Sequence, residues 1–325
     1  MPGSRQPTRE VWSRERLYRE RALALGFALD KSTLNSYGSA LNSYLNFIYL
    51  HNFPVEPTPD TLSCFTVYMS HYINPRSVDS YLSGICQQLE DQFPEIRKIR
   101  SSPLVKRTLQ GCLKMKATPT KRKHPLSPED LNRVATYYFN SEDHDDLLFL
   151  ALLYTGVFGL MRLGELTLPD DSSLIDWRKV TRRSTLKLYA EHYGFVLPHH
   201  KADRFFEGNN VLVRGFHPNV NPINHFMNYI ASRDRLMPLA SPLWLTKVGE
   251  IPRRSFFIRR LHIFFDNDFG GQSMRATGAT LLAELGTPPM IIQGMGRWSS
   301  EAFRIYIRKN PAILQALIYA RHDTV

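Results

Sequence analysis

Gly270-Gly271-Gln272-Ser273-Met274-Arg275 opens an apolar stretch, and Gly296-Arg297-Trp298-Ser299-Ser300 follows about twenty residues later, ahead of Tyr306. The spacing predicts an arginine at the head of a buried helix, a polar turn after it, and a tyrosine on the next helix. These groups would converge on one small anion. Planar guanidiniums grip a tetrahedral oxyanion through two parallel donors, and a phenol beside it can attack. The anion expected is a phosphodiester, with Tyr306 as the nucleophile.

A second arginine stands upstream in a matching context. Residues 147–154 are apolar nearly all round, which predicts a buried helix. It is expected to end at Thr155-Gly156 and turn into Phe158-Gly159-Leu160-Met161-Arg162-Leu163-Gly164-Glu165. A guanidinium placed directly after a buried helix needs a partner. Glu165, one turn on, is the candidate: it either forms a purely structural pair with Arg162 or braces it while the free edge faces a ligand. The acidic cluster Glu142-Asp143-His144-Asp145-Asp146 reads as a helix first turn that complements the dipole rather than as a metal site.

Further along, the period changes to two. Leu186 and Leu188, residues 195–197 and residues 211–213 read as short strands, with Lys201 in the turn between the second and third. Helices return after Asn221-Pro222 and at Ser255, and residues 311–320 predict a last one. Upstream of Ser127-Pro128, an N-cap followed by proline at the first helical position, the pattern is helical throughout. Leu34, Tyr37, Leu41, Tyr44 and Ile48 lie on one face; Asp60 is expected to cap a second helix and Asn74-Pro75 a third. Residues 1–28 mix Arg with Glu and read as a basic arm or solvated helix.

Between them runs a segment of one sign. Arg97, Lys98, Arg100, Lys106, Arg107, Lys114, Lys116, Lys121, Arg122 and Lys123 include no Asp or Glu among them. Such a run is either an ordinary solvated face or a cationic interdomain segment lying along DNA. Domains are therefore expected at 29–117 and 127–325, with a linker at 118–126.

Composition bounds the rest. With 325 residues, two domains are the first expectation. A formal charge of +11 favours a polyanionic partner, nucleic acid before an acidic membrane surface. Three scattered cysteines, Cys64, Cys86 and Cys112, suit neither a disulfide framework nor a zinc site, which points to an intracellular protein. No signal peptide or membrane span is expected.

Taken in order, Arg162 with Leu163-Gly164-Glu165, Lys201, Ser273-Met274-Arg275, and Gly296-Arg297-Trp298-Ser299-Ser300 to Tyr306 resemble the tyrosine recombinases, phage-integrase-like enzymes that break and rejoin DNA. The motifs span roughly residues 125–310. The wording Gly-Arg-Trp-Ser-Ser-Glu-Ala-Phe-Arg looks most like the eukaryotic branch carried by Crypton and related mobile elements.

The resemblance implies a mainly α fold with a small β-sheet: an N-terminal helical core-binding bundle that clamps DNA, plus a C-terminal mixed α/β catalytic domain. It implies attack by Tyr306 to form a 3′-phosphotyrosine link, Arg162 and Arg275 on the phosphate, Lys201 as general acid, Glu165 in support, and no metal or nucleotide cofactor. It further implies double-stranded DNA as partner, a homo-oligomer that is tetrameric on paired sites, and nuclear residence, for which Lys121-Arg122-Lys123 is a weak signal.

Two positions depart from the family. Gln272 stands where a histidine is usual; it can hydrogen-bond a phosphate but cannot carry a proton. The family's His or Trp stands nine residues before the nucleophile, which falls on Arg297, while the matching residue type is Trp298. Trp298 is the expected phosphate donor and Arg297 the alternative. Two other readings stay open: a DNA-holding relative that no longer cuts, and a type IB-like topoisomerase.

Overall fold

The computed structural model describes residues 10–119, 121–199, 203 and 207–298. Two compact units divide between Thr120 and Lys121. The fold is mainly helical, with one small sheet.

The first unit begins with α1 (Arg14–Gly26), capped by the Ser13 hydroxyl, which accepts from the Arg16 N–H at 3.2 Å. It buries no residue. The unit's core is built by α2 (Lys31–Leu50), α3 (Pro59–Met69) and α4 (Pro75–Leu89), closed by α5 (Ile96–Arg100) and α6 (Pro103–Lys116). Tyr44, Phe47, Leu62, Phe65, Val78, Leu82 and Ile85 fill it. On α2 the buried face is Ala40, Tyr44, Phe47 and Ile48, while Leu34 lies outside it, 38% exposed.

The cap of α3 is Thr58, not Asp60. Thr58 has extended backbone and its hydroxyl accepts from the Thr61 N–H at 3.1 Å. With Pro59 at the first helical position, Asp60 falls inside the first turn, where its carboxylate complements the helix dipole.

The basic run also differs from the expected interdomain segment. Seven of its ten residues, from Arg97 to Lys116, lie on α5 and α6. Acids outside the run meet it: Arg97 pairs with Glu90 at 2.6 Å, Lys98 with Glu95 at 3.1 Å and Arg100 with Asp79 at 3.0 Å. Residues seven to twenty-one apart come together because α5 folds back on α4.

The second unit takes in more of the chain than expected. Leu126, assigned above to a linker, is 3% exposed, and its N–H donates to the Thr277 hydroxyl at 2.7 Å. The His124 N–H donates to the Asp268 carbonyl at 2.9 Å, and the Lys123 ammonium donates to the Asn267 carbonyl. An apolar side chain at 126 has a core to enter, and the backbone follows it.

Next come α7 (Pro128–Tyr137), with a reciprocal Ser127–Asp130 cap, and α8 (His144–Phe158), capped by Asp143. α8 runs past Thr155-Gly156 and is the hub, buried almost all round as its composition requires. After the one-turn α9 (Leu163–Leu166) comes an antiparallel sheet, β1 (Lys187–Leu188), β2 (His192–Leu197) and β3 (Asn209–Arg214), in that spatial order.

Phe195 sits opposite Val211 and Tyr193 opposite Val213, so one face alternates inward. Tyr193 stacks on Phe226 at 3.7 Å between ring centroids, and its hydroxyl meets Thr155 on α8 at 2.7 Å. Phe226 belongs to α10 (Pro222–Leu236), which packs along α8; α11 (Arg254–Leu261), α12 (Gly271–Glu284) and α13 (Pro289–Met295) complete the unit.

α11 starts one residue before Ser255, and the Asp170 carboxylate, far away in sequence, accepts the Ser255 N–H at 3.0 Å. α12 lies close against α8: a Cβ at Gly278 would run into the Val157 carbonyl oxygen. That contact sets where Arg275, one turn earlier, emerges.

Candidate active site

Arg162 is placed by the way α8 stops. The Met161 N–H reaches back to the Gly156 carbonyl at 2.9 Å, and Leu160, fully buried, takes a left-handed backbone with φ 49°. The chain then leaves α8 at a sharp angle, and Arg162 becomes the extended residue that opens α9.

Glu165 is the third residue of that helix, and its two oxygens divide their work. Oε2 accepts the Arg162 backbone N–H at 2.9 Å, and Oε1 accepts Arg162 Nη1 at 2.9 Å. A carboxylate three residues into a helix satisfies an otherwise orphaned donor. The Arg162 side chain keeps 32% exposure while Glu165 keeps 6%.

Arg275 is placed by α12. The Ser273 hydroxyl accepts the Gly270 N–H at 3.1 Å and anchors the first turn; Gly271 packs against Leu163 at the start of α9. Arg275 is 4% exposed, donates Nη2 to the Gly296 carbonyl, and lies 4.0 Å from the centroid of the Trp298 ring. A guanidinium over an indole face is a favourable cation–π contact. Gly296 is required there because a Cβ would overlap the Trp298 ring. The Trp298 N–H returns to the Gln293 carbonyl at 3.2 Å and closes the turn after α13.

Arg297 closes the circuit. Its backbone is left-handed, φ 52°, a conformation costing a side-chain-bearing residue about 1 kcal/mol or more. The guanidinium, 8% exposed, donates to Glu165 Oε2 at 3.2 Å, to the Met295 carbonyl at 3.1 Å and to the Leu160 carbonyl at 3.4 Å. Burial pushes its pKa below the usual arginine value, with Arg162 adding to the fall and Glu165 opposing it. Arg297 thus faces inward.

The fold therefore joins Arg162, Glu165, Arg297, Gly296, Arg275 and Trp298 in one continuous network of contacts. Three guanidiniums and one carboxylate leave the cluster positive, as suits an anion. Gln272 is exposed in the first turn of α12, three residues before Arg275. Lys201 and Tyr306 lie outside the described residues, as does the helix expected at 311–320.

Elsewhere, the acids around α8 have ordinary partners: Asp143 pairs with Lys247 at 3.0 Å, and Asp146 accepts from Ser141 at 2.7 Å. Among the described residues no group of three or more ligating side chains is assembled for a metal, and no helix is long and apolar enough to cross a membrane.

What sequence reasoning did not find is the inward path of Arg297 and the use of the Gly296 and Leu160 carbonyls as supports. Left-handed backbone at Leu160 and Arg297 has no signal in residue type. The paired glycines at Gly270-Gly271 and the Gly296 that precedes Arg297 were the available hints of close approach.

No family model and no curated protein sequence matches the chain. Solved structures do resemble it. The XerH site-specific recombinase bound to a palindromic difH substrate, in a post-cleavage complex, gives a TM-score of 0.60 at 14% identity, covering 89% of this chain and 80% of that one.

A lambda integrase dimer bound to a core site gives 0.57 at 14% identity, covering 89% and 93%. The Tn1549 transposon integrase in complex with transposon right-end DNA gives 0.56 at 13% identity, covering 95% and 99%. The mainly helical architecture with its three-stranded antiparallel sheet is the fold of these recombinase and integrase structures.

Proposed function

We propose that this chain is a site-specific DNA recombinase or integrase that cuts and rejoins duplex DNA through a 3′-phosphotyrosine link. The observation that carries the reading is the network joining Arg162 to Arg275 through Glu165, Arg297 and Gly296. On this reading the two linked guanidiniums, one at the N-cap of α9 and one on α12, serve as a cradle for one phosphodiester. The fold shared with the recombinase and integrase structures supports the same reading.

In this mechanism the Tyr306 phenol oxygen attacks phosphorus while the bond to the 5′ oxygen breaks. The departing 5′ oxygen takes a proton from the Lys201 ammonium, and the phenol proton leaves to water because Gln272 has no basic nitrogen to receive it. Arg162 and Arg275 hold the non-bridging oxygens as charge builds on them, with Trp298 beside Arg275 contributing its indole N–H. The bond energy is kept in the phosphotyrosine, and the freed 5′ hydroxyl of a second strand reverses the step. No metal or nucleotide is called for.

Assembly as a tetramer on paired sites, a mobile-element origin of the Crypton kind and nuclear residence belong to the same proposal. The tetramer rests on the family resemblance, the Crypton kind on the wording of residues 296–304, and nuclear residence on that wording with Lys121-Arg122-Lys123.

The test is covalent trapping on a nicked duplex pool randomised about the nick, comparing the native chain with Tyr306→Phe on a denaturing gel. Native protein is expected to give a protein–DNA band and Tyr306→Phe none. Equal bands would remove Tyr306 as nucleophile. Binding without any band would favour the DNA-holding relative, a reading that Gln272 supports. Relaxation of supercoiled plasmid of any sequence by a monomer would favour the topoisomerase.

A further inference from the structure

We propose that Arg297 is a positioning residue for Arg162, acting through Glu165, and not itself a phosphate ligand; this rests on the recombinase reading above. Among the described residues, each hydrogen bond of its guanidinium turns into the protein. Nη2 donates to Glu165 Oε2 at 3.2 Å and to the Leu160 carbonyl at 3.4 Å, and Nη1 donates to the Met295 carbonyl at 3.1 Å. Glu165 has one oxygen on Arg162 Nη1 and shares the other between the Arg162 N–H and Arg297. The carboxylate is thus held from both sides and cannot swing without breaking one of them.

The same residue reaches the other half of the cradle. Arg297 follows Gly296, whose carbonyl receives Arg275, and precedes Trp298, whose ring lies on Arg275. Its guanidinium therefore ties the turn that supports Arg275 to the carboxylate that supports Arg162. Its left-handed backbone points the side chain away from the one Trp298 follows, toward the end of α8. A carbonyl at the C-terminal end of a helix is a favourable place for a cation, and Leu160 supplies one immediately after α8. A glycine would adopt φ 52° more readily than arginine does. The side chain's contacts offset that cost.

The experiment is a double-mutant cycle with Arg297→Gly and Arg162→Ala. It is read as trapping rate on the nicked duplex pool, as equilibrium affinity for the same DNA without the nick, and as Tm. Arg297→Gly relaxes the backbone and should fold; Arg297→Lys, which keeps the charge with a single donor centre, carries the cycle should the glycine chain not fold.

Arg297→Gly is expected to slow trapping about a hundredfold, the effect of a misplaced catalytic group, with affinity little changed. Adding it to Arg162→Ala should cost no more than Arg162→Ala alone. Multiplying losses in the double variant would mean that Arg297 acts on the phosphate directly, and a native rate for Arg297→Gly would mean that it positions nothing; either overturns the proposal.

Should the native chain trap no DNA, the recombinase reading fails by itself. The cycle is then decided on Tm, where non-additive losses support the link between Arg297 and Arg162 through Glu165 and additive ones overturn it.

Discussion

The arginines of the first unit and those around α9 in the second are held in opposite ways. Arg97 is 50% exposed with Glu90 at 2.6 Å and Gln87 at 2.9 Å, and Arg100 reaches Asp79 at 3.0 Å from a partly exposed side chain. The Arg97 guanidinium keeps the Glu90 carboxyl below the usual glutamate range. Such surface pairs contribute little to stability and weaken with salt, so a phosphate can take the place of the carboxylate.

Arg275 and Arg297, by contrast, are nearly enclosed and reach backbone carbonyls, with one carboxylate, Glu165, serving both Arg297 and Arg162. Charges taken out of water must keep their partners. The first unit leaves its cations in exposed, exchangeable pairs, whereas the second fixes a few in an enclosed network.

The sharpest way to break that contrast is at the shared carboxylate. Glu165→Ala leaves Arg162 and Arg297 without their common counter-charge, and is expected to destabilise by about 3 to 5 kcal/mol. Urea unfolding measures this, and a loss below about 1 kcal/mol would put the cluster in the same class as Arg97 and Glu90.

Arg275→Ala comes next. It removes the contacts to the Gly296 carbonyl and the Trp298 ring, and trapping on nicked DNA is expected to fall roughly a hundredfold to a thousandfold. Affinity measured alongside should move far less; equal losses in both would make Arg275 a general DNA contact, the role expected of the cations on α6.

Gly278→Ala tests whether the seam between α8 and α12 sets the site. The added Cβ meets the Val157 carbonyl, so a cost of about 1 to 3 kcal/mol is expected in chemical denaturation, together with slower trapping because Arg275 moves with the helix. Unchanged stability would show that α12 can shift freely.

The smallest effect is on the first unit. Lys106 and Arg107 are exposed on α6, with no ion pair to a carboxylate among the described residues. Replacing either by alanine should lower the slope of log affinity against log salt by about one, in titrations over roughly 50 to 200 mM salt. Arg97→Ala, whose guanidinium already has partners, should lower it by less.

How much was legible follows the reach of each signal. Ser127, Asn74 and Asn221 cap helices where the sequence places them, because a capping hydroxyl or amide acts on N–H groups two or three residues away. The three short strands lie where the period changes. The Arg162–Glu165 pair was open to reading for the same reason, being three residues apart.

Signals that depend on distant chain were not readable. The Thr58 cap, by contrast, was a local signal that Pro59 at the first helical position marks and the reading of Asp60 passed over; Leu126 left the expected linker because a core lay within reach. The apparent absence of acids in the basic run was true only along the chain, since Glu90 and Asp79 arrive from α4.

Residue types and short-range periodicity determined by themselves that α8 would be buried, that α2 to α4 would each present an apolar face, and that Arg162 would have Glu165 at hand. Only the tertiary structure decided that Glu165 also meets Arg297, 132 residues away, and that the Gly296 carbonyl receives Arg275. Hydrophobic patterning is written in steps of two to four residues. The placing of one buried charge against another depends on how α8, α9, α12 and α13 pack, which no local step encodes.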